Sequence, residues 1–446
     1  KKINPTLSAG IAAVISLIVP IQMVSQTWDD HDRSGRYTCR DFGKNYLTSV
    51  DENGIIFTNG DNDTFPLWYA QETEGYRTDV RVCNLSYLQT DWYVNQMKSQ
   101  AYESDPLPIS MEELQYGNKK REYAYILDRV DYPVSVKMAM DYFLSDDERT
   151  KTIPGYGKIN HLPTGELFID IDKEKILKSG IVPKGYENKI VDRIDLSFKD
   201  KNTLILNDLA IIDLLSTNAE TGWKRPVYFA TTVDPSFFTE TDKYFMRTGM
   251  AYEVVPVKLE NTPGRYQVNT DKMYDNVMNK FVWGGIDVNP DIYLDETIRR
   301  MCYSYRIMFI DLIDQLIQEG KTDKALKALD YCMEKIPGDV VPHNYISLQL
   351  AMDYYFLKQN EKGKALLEKI ADSAIEYVTW INSLDNNKKR SVQRDYYYNE
   401  RALAEQVIPM FYRFGDEESG KKYLEKAALA GVDINRYFKI DTSKTN

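Results

Sequence analysis

The stretch INPTLSAGIAAVISLIVPIQMV, from Ile3 to Val24, contains no charged side chain and constrains everything that follows it. As a helix it is long enough to cross a hydrocarbon layer about 30 Å thick. Lys1 and Lys2 precede it, and Trp28, Asp29, Asp30, His31 and Asp32 follow. The positive-inside rule therefore places the N-terminus in the cytoplasm and the remaining chain outside, with Trp28 at the interface. A cleaved signal peptide competes with this reading. Val24-Ser25-Gln26 is not a small-x-small cleavage site, however, and Pro20 with Gln22 suits a packed membrane helix better. The expected location is the inner (cytoplasmic) membrane, with residues after about 27 in the periplasm. A start at Lys-Lys rather than Met reads as a fragment preceded by further membrane segments.

With 446 residues the chain exceeds one ordinary domain, which predicts several units. Its 67 acidic against 56 basic residues, without a long Lys/Arg run, argue against binding a phosphate backbone, and nucleic-acid partners are excluded. Tyrosine is abundant, at 33 residues, a side chain that packs in helical hairpins and also lines sugar- and peptide-binding surfaces. Cys39, Cys83, Cys302 and Cys332 form no CxxC pair and have no metal-ligand spacing, so neither a zinc site nor a redox motif is predicted. Cys302 and Cys332 fall in hydrophobic helical stretches and read as buried apolar residues.

After a helical pattern over Ser34 to Thr48, the period changes. Gly54 to Thr58 is a short apolar run ending in Asn59-Gly60-Asp61-Asn62-Asp63, the pattern of a buried strand and a polar turn. Asp63 or Thr64 is expected to cap the next helix, with Pro66 in its first turn and Gly75 at its end. Asp79 to Asn84 is a second strand-like run, followed by a helix near Asp91-Trp92. This order predicts a βαβ unit with a parallel strand pair. Further strands are expected at Tyr123 to Leu127, Leu167 to Ile171, Arg225 to Ala230 and Ala251 to Val257. Helices are expected from Asp172 to Gly180 and from Asn207 to Ser216. Between about 100 and 200 these signals are less regular and do not combine into a readable order.

Ligands of open parallel sheets bind beyond the carboxyl ends of the strands. Three turns supply such ends, and their polar residues are the candidate site: Asn59, Asp61, Asn62 and Asp63; Asn84 and Ser86; Thr231, Thr232 and Asp234. The first is dense enough in carboxylates and amides to hold a divalent cation or to hydrogen-bond sugar hydroxyls, while the same residues are common in turns and helix caps. Asp29, Asp30, His31, Asp32 and Arg33 form a second, juxtamembrane candidate with the same two readings, cation ligands or a solvated collar. No nucleophile elbow, P-loop, GxGxxG or HExxH is present, so no catalytic residue is assigned.

The C-terminal third carries a repeat. A TPR unit of about 34 residues needs large apolar residues on its first helix, a small residue at the helix crossing and a closing Pro. Arg306 to Asp339 supplies Phe309, Leu312, Leu316, Gly320, Ala325, Leu329, Cys332 and Pro337. A second unit contains Leu350, Tyr354, Gly363, Leu367 and Ile370. A third contains Val407, Phe411, Gly415, Gly420, Leu424 and Ala427. Such arrays hold a peptide or partner helix on their concave face.

Three runs, WDDHDRSGRYTCRDFGKNYL, FTNGDNDTFPLWYAQETEGYRTDVRVCNLSYLQTDWY and MYDNVMNKFVWGGIDVNPDIYLDETIRRM, resemble the C-terminal part of a family of bacterial multi-pass membrane proteins of formerly unknown function. That family is similar to the animal transmembrane O-mannosyltransferase of plexin-type domains, and hence to C-fold glycosyltransferases. The resemblance implies a full-length enzyme that moves a sugar from a polyprenyl-phosphate carrier to Ser or Thr of exported proteins. Its catalytic acid would lie between early membrane helices absent from this sequence, leaving acceptor recognition to these residues. The expected fold is α/β followed by all-α. A membrane helix and flank occupy 1–27, a Rossmann-like parallel-sheet domain 28–260, a helical connector 261–304 and TPR-like repeats 305–446. The alternative is a membrane-anchored TPR adaptor for envelope assembly that is not an enzyme.

Overall fold

The computed structural model describes residues 4–432 apart from Asp128, Tyr156 and Gln393, and describes the backbone alone for 29, 30 and 394–398. The apolar N-terminal run forms helix α1, Pro5–His31, capped by Asn4, whose side chain accepts from the Thr6 N–H at 3.0 Å. Its Leu, Ile and Val side chains are exposed rather than packed on the remainder. Among the described residues, Pro5–Trp28 is the one stretch long and apolar enough to cross a membrane, a property shared by membrane spans and signal sequences.

A six-stranded sheet organises the following region. Its strands are β1 (Ile55–Thr58), β2 (Arg81–Asn84), β3 (Val227–Ala230), β4 (Phe245–Arg247), β5 (Ala251–Val254) and β6 (Gln267–Val268), in the spatial order β6-β4-β5-β3-β1-β2. β1 lies parallel to β2, with Ile55 opposite Arg81 and Thr58 opposite Asn84, and parallel to β3, with Ile55 opposite Val227. The predicted parallel pair is therefore present, and helix α3, Asp61–Glu74, joins its strands. β1, β2 and β3 are buried throughout, as the apolar runs of β1 and β3 require, and in β2 the buried Arg81 and Asn84 flank Val82 and Cys83. The other half departs from the all-parallel expectation. β5 is antiparallel to both β3 and β4, because Arg247 and Ala251 flank a tight reversal rather than a helical crossover.

Helix α3 begins earlier than the sequence suggests. Gly60, in extended conformation, is its N-cap, so Asp63 occupies the third helical position and Pro66 lies inside the helix. The Asp63 carboxylate reaches back to accept from the Asn59 N–H at 3.1 Å, replacing a side-chain cap at residue 60. Pro66 has no N–H, so the Asn62 carbonyl loses its intrahelical donor.

Residues 100 to 200 fold into small additional sheets. Tyr123–Ile126 pairs with Thr203–Ile205 and His161–Leu162, and Glu166–Asp170 pairs with Val134–Ser135 and Arg193–Ser197. The Lys173–Ser179 helix has the expected ends, Asp172 as N-cap and Gly180 in the left-handed region. Helix α4, Leu206–Glu220, is buried almost throughout.

The C-terminal part is helical: α5 (Glu296–Gln318), α6 (Thr322–Lys335), α7 (Tyr345–Phe356), α8 (Asn360–Ser383), α9 (Arg394–Arg413) and α10 (Glu417–Leu429). Helices α5 with α6, α7 with α8, and α9 with α10 pack as hairpins across short turns. The small residues picked out at the crossings are in tight places. Ala325 is buried, and a Cβ on Gly363 or Gly420 would overlap the ring of Tyr355 or Tyr412. Cys302 and Cys332 are buried free thiols, each pushed up to about 12 by burial.

Candidate functional site

Helix α2, Thr38–Thr48, holds the candidate region together because its polar side chains are spent on distant backbone. Asn45 donates to the Val282 carbonyl at 2.7 Å and accepts from the Val282 N–H at 2.9 Å, and it also donates to the Tyr305 hydroxyl of α5 at 2.8 Å. Asp41 accepts from the Gly284 N–H at 2.7 Å, and Ser49 from the Met250 N–H at 2.9 Å. Gly43 lies against the Pro66 carbonyl of α3, where a Cβ would overlap it. Sheet, α3 and α5 are thereby fixed around one helix.

β1 is flanked by β2 on one side and β3 on the other, so the strand order reverses at its carboxyl end and opens a crevice there. Two of the three predicted turns meet in it. Asp63, only 4% exposed, accepts from the Thr232 hydroxyl at 2.8 Å, and the Tyr46 hydroxyl bonds with Thr231 at 3.2 Å. The other Asp63 oxygen, Oδ1, is buried without a hydrogen-bond partner. Burial pushes the Asp63 carboxyl above the ordinary aspartate range, against the hydrogen bonds from Asn59 and Thr232. Asp61 and Asn62 stand in the first turn of α3, where the helix N-terminus favours negative charge.

The remaining candidates divide. Ser86 donates to the Asn59 side chain at 3.1 Å, tying the second turn to the first. Asn84 is buried and donates to Thr64 at 2.8 Å while accepting from the Tyr87 N–H at 3.0 Å, so it serves the turn rather than the crevice. Asp234 is spent on capping a short 3-10 turn through the Ser236 N–H at 2.9 Å. In the juxtamembrane set, the side chains of Asp29 and Asp30 lie outside the described residues. His31 bonds the Thr27 carbonyl at 2.8 Å, and Asp32 accepts from the Ser34 N–H at 2.8 Å. Arg33 follows on the exposed chain. Among the described residues no group of three His, Cys, Asp or Glu side chains is placed to hold a metal ion.

The opposite wall comes from residues that sequence reasoning missed. Thr297, Arg300, Met301 and Ser304 of α5 face Asn59–Asp63 and Thr232 across a cavity of about 310 Å³. This cavity shares Asp61, Asn62, Thr297 and Met301 with a second, of about 530 Å³, lined also by Arg36, Tyr37, Arg40, Phe65 and Tyr69. The result is one groove with carboxylates on the α3 side and guanidinium groups on the α2 and α5 sides. Arg36 is held at 2.9 Å from Asp295, the N-cap of α5. A groove so lined can take an extended polar chain, pairing its N–H groups with the Asn62 carbonyl and carboxylates and its carbonyls with the arginines.

Comparison with known families matches residues 39–272 to TMEM260-associated domain 2, just over half of the chain. The chain belongs to this family. Every β-sheet turn of the crevice lies within the matched residues, whereas the α5 wall lies beyond them. No curated protein and no solved structure matches the chain.

Proposed function

We propose that this chain is the acceptor-recognition region of a membrane protein O-glycosyltransferase, whose sugar transfer from a polyprenyl-phosphate donor to Ser or Thr is performed by membrane-embedded residues outside it. The observation that carries the reading is the family match, which spans the turns building the crevice; TMEM260, for which the domain is named, is a protein O-mannosyltransferase. In this reading α1 is the membrane anchor, with the sheet and helical hairpins on the periplasmic side of the inner membrane. The sheet region acts as a Rossmann-like acceptor platform with its crevice beside α5. The hairpins act as a TPR-like array whose concave face guides an exported acceptor.

The groove geometry supports a protein acceptor. It joins two cavities through four shared lining residues and carries hydrogen-bonding groups of both kinds, which suits a polypeptide backbone better than a compact cofactor.

The test compares O-glycosylation of exported proteins in cells producing the full-length enzyme with wild-type residues or with Asp61→Asn and Arg300→Ala together. Glycosylation should fall by about tenfold or more at equal protein level, as for loss of central contacts in an interface. Unchanged glycosylation would overturn acceptor recognition by this groove, and glycosylation that does not depend on the full-length protein at all would leave the membrane-anchored adaptor as the better reading. Residues 27–446 alone should transfer no sugar from a polyprenyl-linked donor.

A further inference from the structure

We propose a second binding site, for a neutral glycan of one or two pyranose rings, on the outer side of β2 and separate from the crevice. A cavity of about 580 Å³ opens there between α3, the Tyr87–Met97 segment and the turn Ala101–Ser104, a volume usual for small-ligand sites. The inference goes beyond acceptor recognition and stands or falls without it.

Aromatic rings form the walls. Trp68 and Tyr87 lie nearly parallel, with centroids 6.2 Å apart, and Trp92 and Tyr102 leave more than half of their surfaces exposed, at 55% and 58%. Rings left exposed in this number offer electron-rich faces to the C–H groups of a sugar ring. Tyr102 is held in place by a constrained backbone. Its φ of 53° lies in the left-handed region, rare for a bulky side chain, inside a turn closed by reciprocal hydrogen bonds between Ala101 and Ser104 at 3.2 and 2.9 Å. Ser104 in turn accepts from the buried Arg225 guanidinium at 3.0 Å.

The polar groups decide what kind of ligand fits. Arg81 lines the cavity and brings a guanidinium charge to it, only 5% exposed and bonded through Nη2 to the Ser99 carbonyl. Glu72 accepts from the Tyr102 hydroxyl at 2.5 Å and keeps further acceptor capacity. Gln96 adds an amide with both roles. An acceptor and a group that both donates and accepts, set beside aromatic faces, match adjacent sugar hydroxyls on an apolar ring. An apolar peptide side chain or a lipid tail would cover the exposed Glu72 carboxylate and Gln96 amide without pairing them. One carboxylate and one guanidinium balance in charge, which favours a neutral ligand.

The experiment uses the whole chain in a detergent without a sugar headgroup, titrated with mannobiose, cellobiose and chitobiose and read by saturation-transfer NMR. Saturable binding of at least one disaccharide is expected, with Kd on the order of 1 mM. Trp92→Ala and Gln96→Ala should each weaken it by about tenfold or more, while Asp61→Asn in the crevice should leave it unchanged. Near-ultraviolet dichroism identifies any variant that has lost its fold, and Trp92→Phe, which keeps a ring, should retain binding. The proposal is overturned if none of the three disaccharides binds saturably, if binding ignores both cavity variants, or if only a proline-rich decapeptide binds there.

Discussion

Replacing Asp63 separates its role in holding α3 from the cost of burying its charge. The carboxylate accepts two hydrogen bonds through one oxygen, from the Asn59 N–H at 3.1 Å and the Thr232 hydroxyl at 2.8 Å, and leaves its other oxygen buried and unpaired. Asp63→Ala removes both bonds and orphans the Asn59 N–H, which should destabilise the protein by about 2 kcal/mol. Asp63→Asn keeps an oxygen for both donors and removes the unpaired charge. The gain offsets the exchange of charged for neutral hydrogen bonds, so its stability near neutral pH should lie within about 1 kcal/mol of wild type. The pH dependence supplies the sign. Burial raises the folded pKa above the unfolded value of about 3.9, so the folded state holds the proton more tightly. That contribution is fully present below about 3.9 and is lost as pH rises through the raised value, so wild type should gain on Asp63→Asn upon acidification. Urea unfolding of the three proteins across this window measures both effects. The reasoning is refuted if Asn is as damaging as Ala, or if the gap between wild type and Asn does not change with pH.

Gly43→Ala places a Cβ against the Pro66 carbonyl, and Gly284→Ala meets the Thr38 backbone at a φ of 61°; each should cost about 1–3 kcal/mol in denaturant unfolding. Asp353, on α7, is buried with its Oδ2 unpaired, and burial followed by the nearby Asp314 charge pushes it up to about 7. Its stabilising protonation is present below about 3.9 and is lost towards pH 7, so Asp353→Asn should raise the melting temperature above that pH and not at low pH. Deletion of residues 1–26 should release the chain from washed membranes into the soluble fraction, since α1 carries the exposed apolar surface.

The parts of the fold legible in the sequence are those where one local pattern has one structural outcome. Gly54 to Thr58 is an apolar run and Asp79 to Asn84 a strand-like run, each ended by a polar turn, and both supply strands of the expected parallel pair. Asp172 and Gly180 bracket a helix because a side-chain acceptor and a left-handed glycine end helices for local reasons. Elsewhere tertiary pairing decides. Strands such as Val134–Ser135 and His161–Leu162 are two residues long, too short for any period to show. Nor did the apolar run Ala251 to Val257 indicate its direction, which is set by the reversal after Arg247. The start of α3 was misplaced because Asp63 bonds backward to Asn59 instead of capping at its own position. Of the site, the turn residues were legible as strand ends, but Thr297 and Arg300 reach it only through the packing of α5 on α2. The one sequence signal pointing to them was the final run of the family resemblance, which ends in Asp295-Glu296-Thr297-Ile298-Arg299-Arg300-Met301.

The central claim, that the groove between α3 and α5 receives the acceptor protein, is tested most directly by placing a photo-cross-linking amino acid at Asn62 or Thr297 of the full-length enzyme in cells. The account predicts covalent capture of exported proteins that carry the enzyme's O-linked sugar, and loss of that capture when Arg300→Ala is added. Capture that persists with Arg300→Ala, or captured proteins that lack the sugar while the enzyme remains active on others, would contradict it.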